Sequence, residues 1–131
     1  MDLQLQNKTV IVTGGAKGIG AAAVESFAAE GAKVAISGRS PTEGESLANE
    51  VGGIFIEAEL AEEAACRRVV DETLNAFGRI DVLVNNAGFN DGRDLETSPL
   101  EFMASVQLNL SHVYTLVHLC RGELAKNEGA I

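Results

Sequence analysis

The sequence predicts an α/β fold built on a doubly wound parallel sheet. Strand and helix signals alternate along the whole chain, and the connections between them are short, as in sheets covered by helices on both faces. No linker, repeat or low-complexity tract interrupts the alternation, so residues 1–131 are expected to form one domain.

The elements follow in order. Thr9 to Val12 is a short β-branched run that ends in a turn, Thr13 to Gly20. The next segment is Ala-rich, with Ile19, Ala23 and Phe27 at fourfold spacing, and reads as a helix stopped by Gly31 at C′. Lys33 to Ser37 is a second strand. Ser40-Pro41-Thr42-Glu43 offers an N-cap Ser, a Pro at the first helical position and a Glu able to close a capping box, which starts a second helix running to about Asn49. Gly53 to Ala58 makes a third strand. Cys66, Val70, Leu74 and Phe77 then form one face of a third helix that Gly78 can end, and Ile80 to Val84 is the fourth strand. Ser98-Pro99-Leu100-Glu101 repeats the helix-start signal and opens one long fourth helix to about Lys126, after which Gly129-Ala130-Ile131 reads as entry to a fifth strand. Right-handed crossovers then restrict the topology.

Bulk properties exclude several functions. The formal charge of −9 and the lack of a basic stripe argue against nucleic acid, which needs clustered Lys and Arg. Cys66 and Cys120 have no C-x-x-C or Cys/His ligand spacing, so buried reduced thiols are expected rather than a zinc site or disulfide, and with them a cytoplasmic location. Met1 to Asn7 is polar where a signal peptide needs an apolar region, and no apolar run reaches the roughly 20 residues of a membrane span. Neither secretion nor membrane insertion is expected.

The chemistry begins at the first turn. At the carboxyl ends of parallel strands, a helix start offers free N–H groups and a positive dipole end to phosphate, and glycines let the backbone come close. The turn reads TGGAKGIG, with Gly14, Gly18 and Gly20 in G-x-x-x-G-x-G spacing rather than the G-x-G-x-x-G of the common dinucleotide fingerprint. A glycine-rich turn without ligand is the alternative. A second motif, NNAG at Asn85 to Gly88, follows the fourth strand and therefore sits at the same edge of the sheet.

TGxxxGxG, NNAG and the pair Asn109-Leu110 in the long helix together resemble the short-chain dehydrogenase/reductase family, and the match runs over essentially the whole chain. The resemblance implies a Rossmann fold, here expected to stop before the last strands, and an oxidoreductase that binds NADP(H) or NAD(H). It implies that Thr13, Gly14, Gly18, Ile19 and Gly20 surround the pyrophosphate and ribose. Asn85 to Gly88, including Asn86, Ala87 and Gly88, would support the central sheet and border the adenine ribose. Glu59 and Leu60 stand where the family has Asp and an apolar residue beside the adenine, so Glu59 would accept from the adenine amino group. Asn109 would be the first member of an Asn-Ser-Tyr-Lys catalytic tetrad, kinking its helix and helping to hold a water in the proton relay; a polar residue on an exposed helix face is the plain alternative.

The second strand should end beside the adenosine ribose, where an acidic residue would bind the 2′-hydroxyl and repel a 2′-phosphate. Gly38 stands there instead, followed by Arg39, with Lys17 inside the glycine turn. Two cations converging on a 2′-phosphate favour NADP(H), with NAD(H) as the second choice. Solvated surface charges are the alternative.

The family's Ser, Tyr and Lys do not occur at matching places. Tyr114 is the sole tyrosine and is followed four residues on by His118, so Y-x-x-x-K is absent and a longer parent chain is expected. His112 and His118 read as packing or partner contacts, and no metal site is expected. Met103, Val106, Leu110, Val113 and Val117 form an apolar stripe on the long helix, suited either to a second copy of the chain across a two-fold axis or to the chain's own sheet. The expected substrate is a small alcohol or carbonyl compound in ketone or lactone chemistry. Asn90-Asp91-Gly92 resembles sugar dehydrogenases of the L-fucose type, and the neighbourhood also fits 3-oxoacyl-carrier-protein reductases. The rival from another class is a non-catalytic nucleotide-binding or assembly module.

Overall fold

A computed structural model describes residues 2–131; Met1, the first residue of the polar N-terminal stretch, lies outside them. Four parallel strands, β1 (Thr9–Thr13), β2 (Lys33–Gly38), β3 (Ile54–Glu57) and β4 (Val82–Val84), lie in the order β3-β2-β1-β4. Between them run α1 (Gly18–Ala29), α2 (Pro41–Val51) and α3 (Glu63–Phe77), followed by α4 (Pro99–Val106), a π-helical turn (Gln107–Ser111) and α5 (His112–Lys126).

Burial explains why short apolar runs suffice. In β1 all five residues are buried, and successive side chains enter opposite cores. Val10 and Val12 pack with Val24, Val34, Ile36 and Leu47 on the α1/α2 side. Ile11 packs with Ala35, Cys66, Val69, Leu83 and Leu116 on the α3/α5 side. Both faces are thus covered, as the alternation predicts, and a central strand such as β1 needs no polar face. Gly31 and Gly78 follow α1 and α3 at φ +82° and +78°, the stops expected of them. Cys66 and Cys120 are buried and unpaired, and burial pushes the Cys120 thiol up to about 12. Among the described residues no helix is long and apolar enough to cross a membrane.

Three expectations need correction. The long fourth helix is not continuous, because the π turn divides it into α4 and α5. The capping box at Ser40 does not form: the Ser40 side chain makes no cap bond, and Glu43 faces a Lys17 ammonium 3.1 Å away, a charged partner that a backbone N–H does not match. At Ser98 the box is complete, with Glu101 N–H donating to the serine hydroxyl and the Glu101 carboxylate accepting from Ser98 N–H. The fifth-strand signal amounts to one parallel bridge, Ala130 beside Val82, in which Leu83 N–H donates to Ala130 O and Ala130 N–H to Asp81 O.

Asp81 ties the amino ends of the sheet together. Only 3% exposed, it accepts from Thr9 N–H at 2.9 Å and from Arg79 Nε and Nη2 at 2.8 and 2.5 Å, with Lys8 Nζ 3.6 Å away. Burial acts to raise its pKa, but the Arg79 and Thr9 hydrogen bonds and the charges of Arg79 and Lys8 outweigh it and hold the carboxyl below the usual aspartate range. Such a group stabilises the fold fully above its ordinary pKa and loses that contribution as pH falls through the lowered one. Asp81→Ala is expected to cost about 2–3 kcal/mol at neutral pH in urea denaturation. Asp81→Asn should flatten the loss of stability on acidification below pH 4, and an unchanged acid limb would refute the assignment.

Candidate cofactor site

The site is assembled where β1 and β4 end. Thr13, the last residue of β1, is fully buried; its hydroxyl donates to Val84 O at 3.2 Å and accepts from Asn86 N–H and Ala87 N–H, both at 3.0 Å. The Asn86 amide returns the contact, donating from Nδ2 to Thr13 O at 3.0 Å and Gly14 O at 3.2 Å. The NNAG segment and the glycine turn are therefore bolted to each other by four hydrogen bonds rather than merely adjacent.

This closeness dictates glycine. A Cβ on Gly20 would stand 2.2 Å from Gly14 O and 2.6 Å from Asn86 Nδ2, which no side chain can occupy. Gly14 adopts φ +62°, and its Cβ would lie 2.9 Å from Ala87 Cα. Past the turn, α1 starts with Lys17 at its N-cap position, no side-chain cap bond and no acidic residue in its first turn. Its leading N–H groups and positive dipole end are left open to an anion, in contrast to the capped start of α4. Ile19 is 84% exposed beside them.

Two concavities meet over this turn. A groove of about 380 Å³ runs along Gly14, Ala16, Lys17, Ile19 and Gly20 and is walled by Gly38, Arg39, Ser40, Asn86, Ala87 and Gly88. It joins a pocket of about 100 Å³ between Gly38, Arg39, Ala58, Glu59 and Leu60 on one side and Ala87, Gly88, Phe89, Leu108 and His112 on the other. All the sequence-predicted residues except Thr13, Gly18, Asn85 and Asn109 line one or the other. Thr13 lies beneath the turn as its anchor, Gly18 begins α1, and Asn109 stands behind the wall.

Asn109 sits inside the π turn, half-buried. Its Oδ1 accepts from Phe89 N–H at 2.6 Å, and its Nδ2 donates to Ser105 O at 3.3 Å. The amide thus does two jobs, taking up a carbonyl of the interrupted helical ladder and fixing the chain just after NNAG. A residue on an exposed face would do neither, so that alternative falls. Phe89, Leu108, His112 and Ala58 are pocket residues that motif reasoning missed. Phe89 is legible as the residue after NNAG; His112, expected to serve packing, is buried, yet it also lines the pocket with Nδ1 unpartnered. Burial lowers the His112 pKa against the opposing charge of Glu59, so the ring is neutral at pH 7. His118 is exposed and stacks on Tyr114 at 6.1 Å. Asn85 Oδ1 is buried without a partner.

The cations do not stand free. Lys17 pairs with Glu43, and Arg39 lies 3.8 Å from a Glu59 carboxylate oxygen and 5.4 Å from the centre of the Phe89 ring. They are neither lone surface charges nor converged on one point, because each is drawn to a carboxylate from another element.

Residues 8–131 match the family model for short chain dehydrogenases. The chain belongs to that family. It is 39% identical over 127 residues to the L-fucose dehydrogenase of Mus musculus, a match covering 95% of this chain and 46% of that protein. It is 38% identical to the NADP-dependent (R)-specific alcohol dehydrogenase of Lentilactobacillus kefiri, over 85% of this chain and 46% of the other. The crystal structure of 3-ketoacyl-(acyl-carrier-protein) reductase from Brucella melitensis complexed with NADH superposes with a TM-score of 0.86 at 31% identity, covering 94% of this chain and 52% of that one. The chain spans about half the length of the curated relatives it matches. The short-chain dehydrogenase family and its parallel-sheet fold, expected from three short motifs, are established by these matches.

The Asn86 contacts yield a prediction. Asn86→Ala removes two hydrogen bonds and leaves Thr13 O and Gly14 O without their donor, which is expected to cost about 1–3 kcal/mol in chemical denaturation. Asn86→Asp should be at least as damaging, since a carboxylate cannot donate to either carbonyl; a stability equal to the parent's would refute the clamp.

Proposed function

We propose that the chain is the dinucleotide-binding part of a short-chain oxidoreductase that prefers NADP(H), accepts NAD(H), and interconverts a small alcohol with its carbonyl compound. The observation that supports this best is the approach of Gly20 to Gly14 O, which leaves no room for a side chain at Gly20, beside an α1 start whose backbone N–H groups have no capping side chain. Gly14, Gly18, Ile19 and Gly20 would hold the pyrophosphate and its riboses. Glu59, Leu60, Ala87 and Gly88 would enclose the adenine, with the neutral His112 ring at the pocket floor. Lys17 and Arg39 would receive a 2′-phosphate beside Gly38, where no carboxylate opposes it from the strand end.

When bound, the nicotinamide supplies or accepts the hydride. This chain's own residues bind and orient it, and Asn109 holds the π turn and the Phe89 backbone that wall the site. A reducing sugar whose cyclic hemiacetal hydroxyl is oxidised to a lactone is the favoured substrate class, in keeping with the relatives named L-fucose dehydrogenase, and ketoacyl reduction is the alternative. The exposed Met103 and Leu110, with half-buried Val106 and Val113, are proposed to meet a second copy of the chain, while Val117 of the same stripe packs on the chain's own core; α4 itself carries no buried residue. Two buried, unpaired thiols suit a reducing cytoplasm.

Titration of the folded protein with NADPH and NADH, followed by cofactor fluorescence and calorimetry, tests the assignment. NADPH is expected to bind more tightly, and Arg39→Asp to reverse the order by about tenfold or more. Gly20→Ala, whose Cβ must displace Gly14 O, should weaken both, with circular dichroism and chemical denaturation separating lost binding from lost fold. Absence of binding by well-folded parent protein would overturn the cofactor assignment.

A further inference from the structure

Two cations face the groove, and each carries a carboxylate supplied by a different element. Lys17 Nζ lies 3.1 Å from Glu43 Oε1 on α2, and Arg39 Nη1 lies 3.8 Å from Glu59 Oε2, which follows β3. Neither pair is a helical neighbour pair imposed by local spacing. All four side chains are roughly half exposed, so no fold requirement forces the contacts. The Glu43 carboxyl is held below its usual range by a backbone hydrogen bond and by Lys17, and is ionised wherever the protein is folded near neutral pH.

We infer that Glu43 and Glu59 are specificity-determining residues: as resident counter-ions of Lys17 and Arg39 they weaken the grip on a 2′-phosphate and leave the site able to use both forms of the cofactor. The inference rests on the nicotinamide-dinucleotide assignment of the groove. A 2′-phosphate brings a charge of about −2 to a corner whose formal charge is zero. Lys17 and Arg39 can engage it only by leaving or sharing their carboxylates, which remain nearby and repel it. The neutral 2′-hydroxyl of NADH meets neither cost. Arg39 is held twice over, since Glu59 and Phe89 line the same pocket and the guanidinium lies against both. Glu59 therefore acts on both parts of the cofactor: on the adenine by contact, and on the 2′-phosphate through Arg39.

The test compares dissociation constants of NADPH and NADH for parent, E43Q and E59Q at low ionic strength, where exposed charges are least screened. E43Q is expected to tighten NADPH by about two- to fivefold while moving NADH less than about twofold, and E59Q to raise the preference for NADPH over NADH by a similar factor, because any changed adenine contact is common to both cofactors. The gains in E43Q/E59Q should multiply, because the two pairs share no partner. The effect of E59Q should vanish in an R39M background, whereas a merely structural role of Glu59 would persist there. E43Q guards against a changed adenine contact, since Glu43 lines neither concavity. An NADPH-to-NADH ratio unmoved or lowered in both single variants, with both cofactors still bound, overturns this inference and leaves the cofactor assignment standing. Failure of the folded parent to bind either dinucleotide overturns both.

Discussion

The contact on which the site depends is the mutual anchoring of the β1 and β4 ends, made by the Thr13 hydroxyl and the Asn86 amide. Parallel strands end with carbonyl and N–H groups that the ladder no longer pairs, and two such ends side by side would normally be left to water. Here Thr13 takes two N–H groups of the NNAG segment, and Asn86 takes two carbonyls of the glycine turn. The backbone at Gly14 is thereby pulled under Asn86 and Ala87, and the space a Cβ would need at Gly20 is gone. Glycine at these positions follows from the anchoring, and the open start of α1 follows from glycine.

Electrostatics work locally against the global balance. A chain of formal charge −9 is a poor attractor for a dinucleotide phosphate at long range. The attraction has to come from dipoles within a few ångströms: the uncapped first turn of α1, free of acidic residues, in a groove whose two cations are already balanced by carboxylates. Backbone N–H groups cannot be neutralised by a mobile side chain in the way Lys17 is by Glu43. An anion position at the start of α1 is therefore built into the fold, while the charge of the neighbouring corner is adjustable through four exposed side chains.

Much of this was legible in the sequence where the cause is local. Ile11, Val12, Ala35 and Leu83 announce buried strands because a parallel strand with both faces covered has no reason to carry polar residues. Gly31 and Gly78 mark helix ends, and Ser98 with Glu101 marks a start, each through bonds made within a few residues. The misjudged features are decided across the fold. Ser40 and Glu43 have the capping-box pattern, but Lys17, 26 positions before Glu43 in the chain, claims the carboxylate. The helix from Pro99 has no Gly or Pro at its break, and its π turn depends on Phe89, 20 residues upstream of Asn109. His112 looks like a core residue from its helical register, and only the packing of α5 beside β4 and α3 turns its ring to the pocket as well.

The division of the long helix also separates its two halves energetically. α5 buries His112, Leu116, Cys120 and Leu124 and has 15 residues, so it is secured by the core. α4 has eight residues and buries none, whereas an isolated helix in water needs about 12–15 residues to persist. What holds α4 is the capping box at Ser98, the Arg93–Glu101 contact at 2.9 Å and its continuity through the π turn to α5. Asn109 stands at that joint, bonded back to Ser105 of α4 and forward to the Phe89 backbone of the site wall. Any force that orders α4, such as burial of Phe102 and Met103 by a neighbouring molecule, therefore acts on the geometry of the candidate pocket through the Asn109 amide and the π turn whose Leu108 lines it. Coupling between the proposed contact of two copies and the site would need no longer path than that one turn.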